Sequence, residues 1–181
     1  MSVGEHYNSG KAKNTRGQRK KPKPKSAPKQ VAYGIHACQA ALNAGYVRNL
    51  IFQEDNSNKR VISLIEEAIN KGIPTEKGSL KQLNALSGEG IHQGVLVRLK
   101  KIPSSDLRSL VEGLPTNSFA FVLDSINDPQ NVGAVLRVAV AIKAVAVVLS
   151  QHKGALLTPG VHRASAGLSF FAPVTAPGNL A

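Results

Sequence analysis

The polar run Asp124-Ser-Ile-Asn-Asp-Pro-Gln-Asn-Val-Gly133 lies between two apolar segments and holds the residues best suited to chemistry. Asn131 offers an amide and Arg137 a permanently charged guanidinium. Beside a helix N-terminus, these two groups would form a corner suited to phosphate and sugar. Six residues apart, nearly two turns, they are expected on roughly one helix face. A purely structural account covers the rest of the run: Asp128 as N-cap, Pro129 at the first helical position and Gly133 for close packing. Asp124 and Asp128 are expected to fix the loop rather than carry chemistry. A solvated Arg137 is the bland alternative, but its apolar neighbours Val135, Leu136, Val138 and Ala139 predict surroundings only partly wet. The histidines His6, His36, His92, His152 and His162 lack ligand-like spacing, and the single Cys38 excludes a thiolate-cluster zinc site. No metal is expected.

The elements around this run must deliver it to a binding edge. In open α/β sheets ligands gather at the carboxyl ends of strands, in loops that lead into helices. Ser118 to Leu123 reads as a buried strand, the polar run as its following loop, and a helix continues to about Ile142. Ala144 to Leu149 has the continuous β-branched composition of a strand buried on both faces. Strand, loop, helix and strand open a parallel α/β sheet. Upstream lies a first α/β or α+β unit. It comprises a helix from Gly34 stopped at Gly45, a strand Val47–Gln53 and a helix Asn58–Lys71 ended by Gly72. A short strand around Ile73, a helix Ser79–Leu86 and a strand Gly94–Leu99 complete it. The organisation expected is a tail over 1–31, a first domain over 32–100, a linker over 101–117 and a second domain over 118–181.

The chain has 181 residues and a net charge of +12. Nine of its 23 Lys and Arg, but one of its 11 acids (Glu5), fall in the first thirty positions. That tail, densest at Lys20, Lys21, Lys23 and Lys25, has too little apolar surface to offset its ordering entropy and reads as disordered. It suits a polyanion, RNA above all, because each cation that neutralises a phosphate releases a counterion. An inert solubilising tail is the alternative. With 42% hydrophobic and 19% charged residues overall, wholesale disorder is excluded. The longest apolar run, Ala144–Leu149, is far short of the roughly 20 residues that span a bilayer. The start carries no secretory-type apolar stretch. A soluble, cytoplasmic protein is the expectation.

Leu123 to Ala139, LDSINDPQNVGAVLRVA, resembles the first motif of the SpoU/TrmH family of RNA ribose 2′-O-methyltransferases, within the SPOUT superfamily. Its fixed polar positions all match. The first unit resembles the family's accessory RNA-binding domain, similar to ribosomal protein L30e, in Tyr33-Gly34, the Ser79 helix and the His92-Gln93-Gly94 strand entry. The resemblance runs from about Tyr33 to the last residue and is closest to the subgroup that modifies a guanosine of large-subunit rRNA. It implies an L30e-like domain followed by the start of an α/β-knot parallel sheet. It also implies a homodimer and methyl transfer from S-adenosylmethionine to a ribose hydroxyl of rRNA, with tRNA as another possible substrate. Arg137 and Asn131 become the catalytic pair, Arg137 as an electrostatic clamp and Asn131 as the group that holds it. His92, Gln93 and Arg137 join the tail lysines as RNA contacts.

Val138, Lys143 and Phe170 depart from the family pattern, which has Ser or Thr, Gly, and an acidic or small residue there. The family's two later motifs, which supply most of the cofactor pocket and the knot, do not appear before Ala181. The expectation is therefore a fragment or a truncated gene product, its cofactor residues beyond Ala181, binding RNA but not S-adenosylmethionine by itself. A non-catalytic RNA-binding protein is the alternative. Another kind of nucleotide-binding domain lacks support, since neither G-x-G-x-x-G nor a P-loop is present.

Overall fold

The computed structural model describes residues 30–103, 106–112, 114–150 and 156–177. Lys20, Lys21, Lys23 and Lys25 lie outside the described residues. The first sheet holds β1 (Val31–Tyr33), β2 (Val47–Gln53), β3 (Thr75–Gly78) and β4 (Val95–Leu99), in the order β1-β4-β2-β3. β4 runs antiparallel to β1 and β2, and β3 runs parallel to β2. Residues alternate between its faces, as strand geometry demands. Leu50, Val95 and Val97 join one apolar cluster with α1 (Ile35–Asn43) and α2 (Lys59–Asn70). Ile51 and Leu96 turn to the other face, against Leu83 of α3 (Leu80–Ser87). Asn58 and Ser79 cap their helices by accepting from the Arg60 and Gln82 amides, and Gly88 ends α3 in the left-handed region.

The strand expected around Ile73 begins later, at Thr75. Gly72 turns the chain at φ 68°, and Pro74 lacks an amide to donate, so its carbonyl makes the first link by accepting from the Leu50 amide at 2.9 Å.

The second sheet is parallel, in the order β5 (Ala120–Leu123), β6 (Ala146–Leu149), β7 (Val174–Thr175). A short helix α4 (Leu107–Val111) falls in the connecting segment and contacts β6. Helix α5 (Pro129–Ala141) puts Val132, Leu136 and Ala139 on Leu123, Val147 and Leu149, joined by Val161 of α6 (Pro159–Ala164). β6 is buried along its whole length, as its composition predicts. β5 is not: Leu123 alone is buried, while Phe119 and Val122 are 66% and 65% exposed. Apolar composition marks a strand without revealing whether anything covers both its faces. Here β5 is an edge of the sheet among the described strands.

The two sheets meet through the segment after α6. Gly167, at φ 84°, presses so closely on α1 that a Cβ there would sit 2.2 Å from the Ala40 Cβ. The 3-10 turn Leu168–Phe170 then places Phe170, 7% exposed, in the core of the first sheet.

Candidate functional site

The β5–α5 loop folds by local capping. Asp128 accepts from the Gln130 amide at 2.9 Å, Pro129 occupies the first turn, and Asp124 accepts from the Ser125 hydroxyl at 3.1 Å. Gly133 is needed for the crossing of α5 with α6, since a Cβ would lie 2.6 Å from that of Ala164. These residues hold the loop and the helix in place.

Arg137 is exposed, wetter than its apolar neighbours predict, because Val132, Leu136 and Ala139 take the buried face of α5. Its Nη1 donates to the Ala164 carbonyl at 3.0 Å, at the C-terminus of α6. The Val161, His162 and Arg163 carbonyls of that turn already accept from the Ser165, Gly167 and Ala166 amides, and a cation at a helix C-terminus is favoured by the helix dipole. One N–H is thereby anchored on a side chain that is otherwise exposed. Asn131 is exposed as well, but no hydrogen bond joins it to Arg137. Six residues at 3.6 per turn leave the two about 120° apart around the helix. The shared face expected from sequence is not formed, and the Ala164 carbonyl, not Asn131, holds Arg137. Sequence gave no sign of this partner, 27 positions downstream.

His92 and Gln93 sit together at the entry to β4, in different roles. His92 is buried: Nδ1 accepts from the Gly94 amide at 3.0 Å, which leaves Nε2 protonated to donate to Asn84 Oδ1 at 2.8 Å. Burial holds its pKa below the ordinary histidine value. Both ring nitrogens are committed, so His92 shapes the loop rather than meeting solvent. Gln93 is exposed, and its Oε1 accepts from the Ile35 amide at 3.0 Å. It thus caps α1, whose N-cap, Gly34, has no side chain. Around them opens a polar groove of about 680 Å³, bordered by Asp55, Asn56, Asn58 and Glu89.

The α6 region contributes residues with no role in the sequence reading. His162 is 1% exposed, bonded through Nδ1 to the Ser169 hydroxyl at 2.8 Å and stacked on Phe170 at 4.4 Å. Burial pushes its pKa down to about 4, so it is neutral. It lines a largely apolar cavity of about 510 Å³ at the carboxyl end of β6, with Leu149, Leu157 and Val174 in one part of the wall and Leu99, Lys100, Lys101 and Ile102, from the end of β4 and just after it, in another. That is where open α/β sheets bind ligands. Arg163, next in sequence, lines a separate cleft with His36. The one sequence signal for this region was Phe170, whose aromatic ring breaks the family pattern.

Two family profiles match the chain. RNA 2′-O ribose methyltransferase substrate binding covers residues 31–104, and the SpoU rRNA methylase family covers 118–181. Curated relatives named 23S rRNA (guanosine-2′-O-)-methyltransferase RlmB are similar across most of the chain. The protein from Pseudomonas putida is 35% identical over 82% of this chain and 62% of its own length. That from Xanthomonas campestris is 32% identical over 86% and 65%. The chain therefore spans under two thirds of these relatives. The SpoU methyltransferase AviRb from Streptomyces viridochromogenes, crystallised with AdoMet, superimposes with a TM-score of 0.65 at 18% identity, over 83% of this chain and 54% of that one. An rRNA methyltransferase from Sinorhizobium meliloti gives 0.63 at 20% identity, over 81% and 54%. Among the described residues no helix is long and apolar enough to cross a membrane. With a substrate-binding profile over its first sheet and a methylase profile over its second, the chain belongs to the SpoU rRNA methylase family.

Proposed function

We propose that the protein transfers a methyl group from S-adenosylmethionine to the 2′-hydroxyl of a guanosine ribose in large-subunit rRNA. The observation that carries this reading is the similarity to the RlmB relatives across more than four fifths of the chain, including the whole β5–α5 loop. Their names favour catalysis over RNA binding alone. The same reading makes the protein cytoplasmic and a homodimer, as the family resemblance implies. The 510 Å³ cavity is within the roughly 300–1,000 Å³ of small-molecule sites and fits the cofactor in part: Leu149, Leu157 and Val174 suit an adenosyl group, while Lys100 and Lys101, which also line it, do not suit the sulfonium. When bound, S-adenosylmethionine supplies an electrophilic methyl carbon on sulfur.

The protein's own residues position and stabilise. An arginine does not give up its proton in this setting, so Arg137 serves as a clamp on the target phosphate or on the alkoxide as charge develops. The Ala164 carbonyl sets its direction before RNA arrives. Asn131, exposed in the first turn of α5, is available to the ribose. Holding hydroxyl and methyl in line accounts for much of the acceleration.

The test is methyl transfer to an rRNA transcript by the complete gene product, wild type against Arg137→Ala. The variant should lose roughly 10²–10³-fold in single-turnover rate. Arg137→Lys should rescue little, because it keeps the charge but loses the fork. Near-normal rates in both would remove Arg137 from the chemistry.

A further inference from the structure

Between the two sheets lies a cleft of about 270 Å³ lined by Gly34, His36, Gln93, Gln130, Arg163 and Ala164, among others, with no carboxylate in its wall. Four of these residues bring side-chain donors from four different elements: His36 from α1, Gln93 from the β4 entry, Gln130 from α5 and Arg163 from α6. All four are exposed. His36 and Arg163 make no ion pair or side-chain hydrogen bond among the described residues. Gln93 spends its Oε1 on the Ile35 amide, which leaves its Nε2 as a pure donor. Arg163 is not needed to cap α6, because Arg137 already donates to the Ala164 carbonyl. Ala164 lies in the cleft wall, so the residue that anchors Arg137 and the guanidinium of Arg163 border one surface.

Converging donors, one of them permanently charged, with no acid opposite, form an anion site. At about 270 Å³ the cleft falls just short of the usual range for small-molecule pockets, so it suits one phosphate with its sugar rather than an enclosed nucleotide. We propose that it holds a backbone phosphodiester of the substrate RNA, with Arg163 as the principal contact and His36, Gln93 and Gln130 as supporting donors. The strand would then pass from the substrate-binding unit to Arg137 across the junction of the two sheets. This rests on the RNA reading above.

The test is fluorescence anisotropy of the 181-residue chain with a labelled large-subunit rRNA stem–loop, over a range of salt. Arg163→Ala should weaken binding about tenfold, the size of one lost hydrogen-bonded charge. It should also lower the slope of log K against log salt by about 0.7–0.9, one phosphate's worth. Arg163→Lys should keep the slope, and His36→Ala should weaken binding in the same direction. Thermal melting should not move, since both side chains are exposed. Wild type that binds no RNA would overturn this assignment and the RNA reading together. Wild type that binds, with Arg163→Ala unchanged in affinity and slope, would overturn the cleft alone. Inorganic phosphate at matched ionic strength should not displace the RNA. Displacement from wild type but not from Arg163→Ala would make the cleft a free-anion site instead.

Discussion

At the scale of single residues, burial separates His92 and His162, which hold the fold, from His36, which faces solvent. His162 is held neutral inside the junction, its pKa near 4 against an ordinary 6.5. The unfolded chain therefore binds this proton more readily than the folded one between those two values. Stability is fully present above about pH 6.5 and falls as the pH drops toward 4, by a total on the order of 3 kcal/mol. His92 shifts in the same direction, again by burial, and adds to the loss. His162→Asn keeps a group able to reach Ser169 and cannot titrate. Urea unfolding at pH 7 and pH 4.5 should show a clearly smaller acid loss in this variant than in wild type, and equal losses would clear His162 of the role. Cys38, fully buried and pushed up in pKa, is a packing residue and should resist thiol reagents in the native state.

At the scale of elements, the segment after α6 joins the two sheets. Phe170 packs into the first core, 6.2 Å from the ring of Tyr46, and carries the stacked His162 on its other side. Phe170→Ala should cost about 3–5 kcal/mol, the usual range for emptying a buried aromatic site. It should also split one unfolding transition into two as the units separate. A loss below about 1 kcal/mol with a single transition retained would show that the ring is not what couples them. Little of this was legible in sequence, because Tyr46 and Phe170 are brought together only by the fold. What depends on neighbours along the chain was readable: the periodic helices starting at Asn58 and Ser79, the cap at Asp128, and the β-branched β6. What depends on distant partners was not. The anchor of Arg137 on Ala164, the commitment of both His92 nitrogens and the bare face of β5 each need a residue, or a missing cover, that no local pattern announces.

At the scale of the molecule, charge and apolar surface oppose each other. The chain carries +12, most of it in the first thirty positions, so copies repel one another at low ionic strength. It also exposes Phe119, just before β5, and Val122 within it; among the described strands β5 is a short edge without a lysine or proline to blunt it. Salt weakens the repulsion, the screening length shrinking from about 30 Å at 0.01 M to about 10 Å at 0.1 M, while leaving apolar contact intact. Self-association of the 181-residue chain should therefore rise with salt, contrary to RNA binding, which should fall. Sedimentation velocity from 0.05 to 0.5 M salt would show the rise in mean mass. Phe119→Ser with Val122→Thr should abolish most of it, because both side chains face solvent and removing them leaves the core of the second sheet untouched. Association that falls with salt, or survives the double substitution, would place the sticky surface elsewhere than on β5.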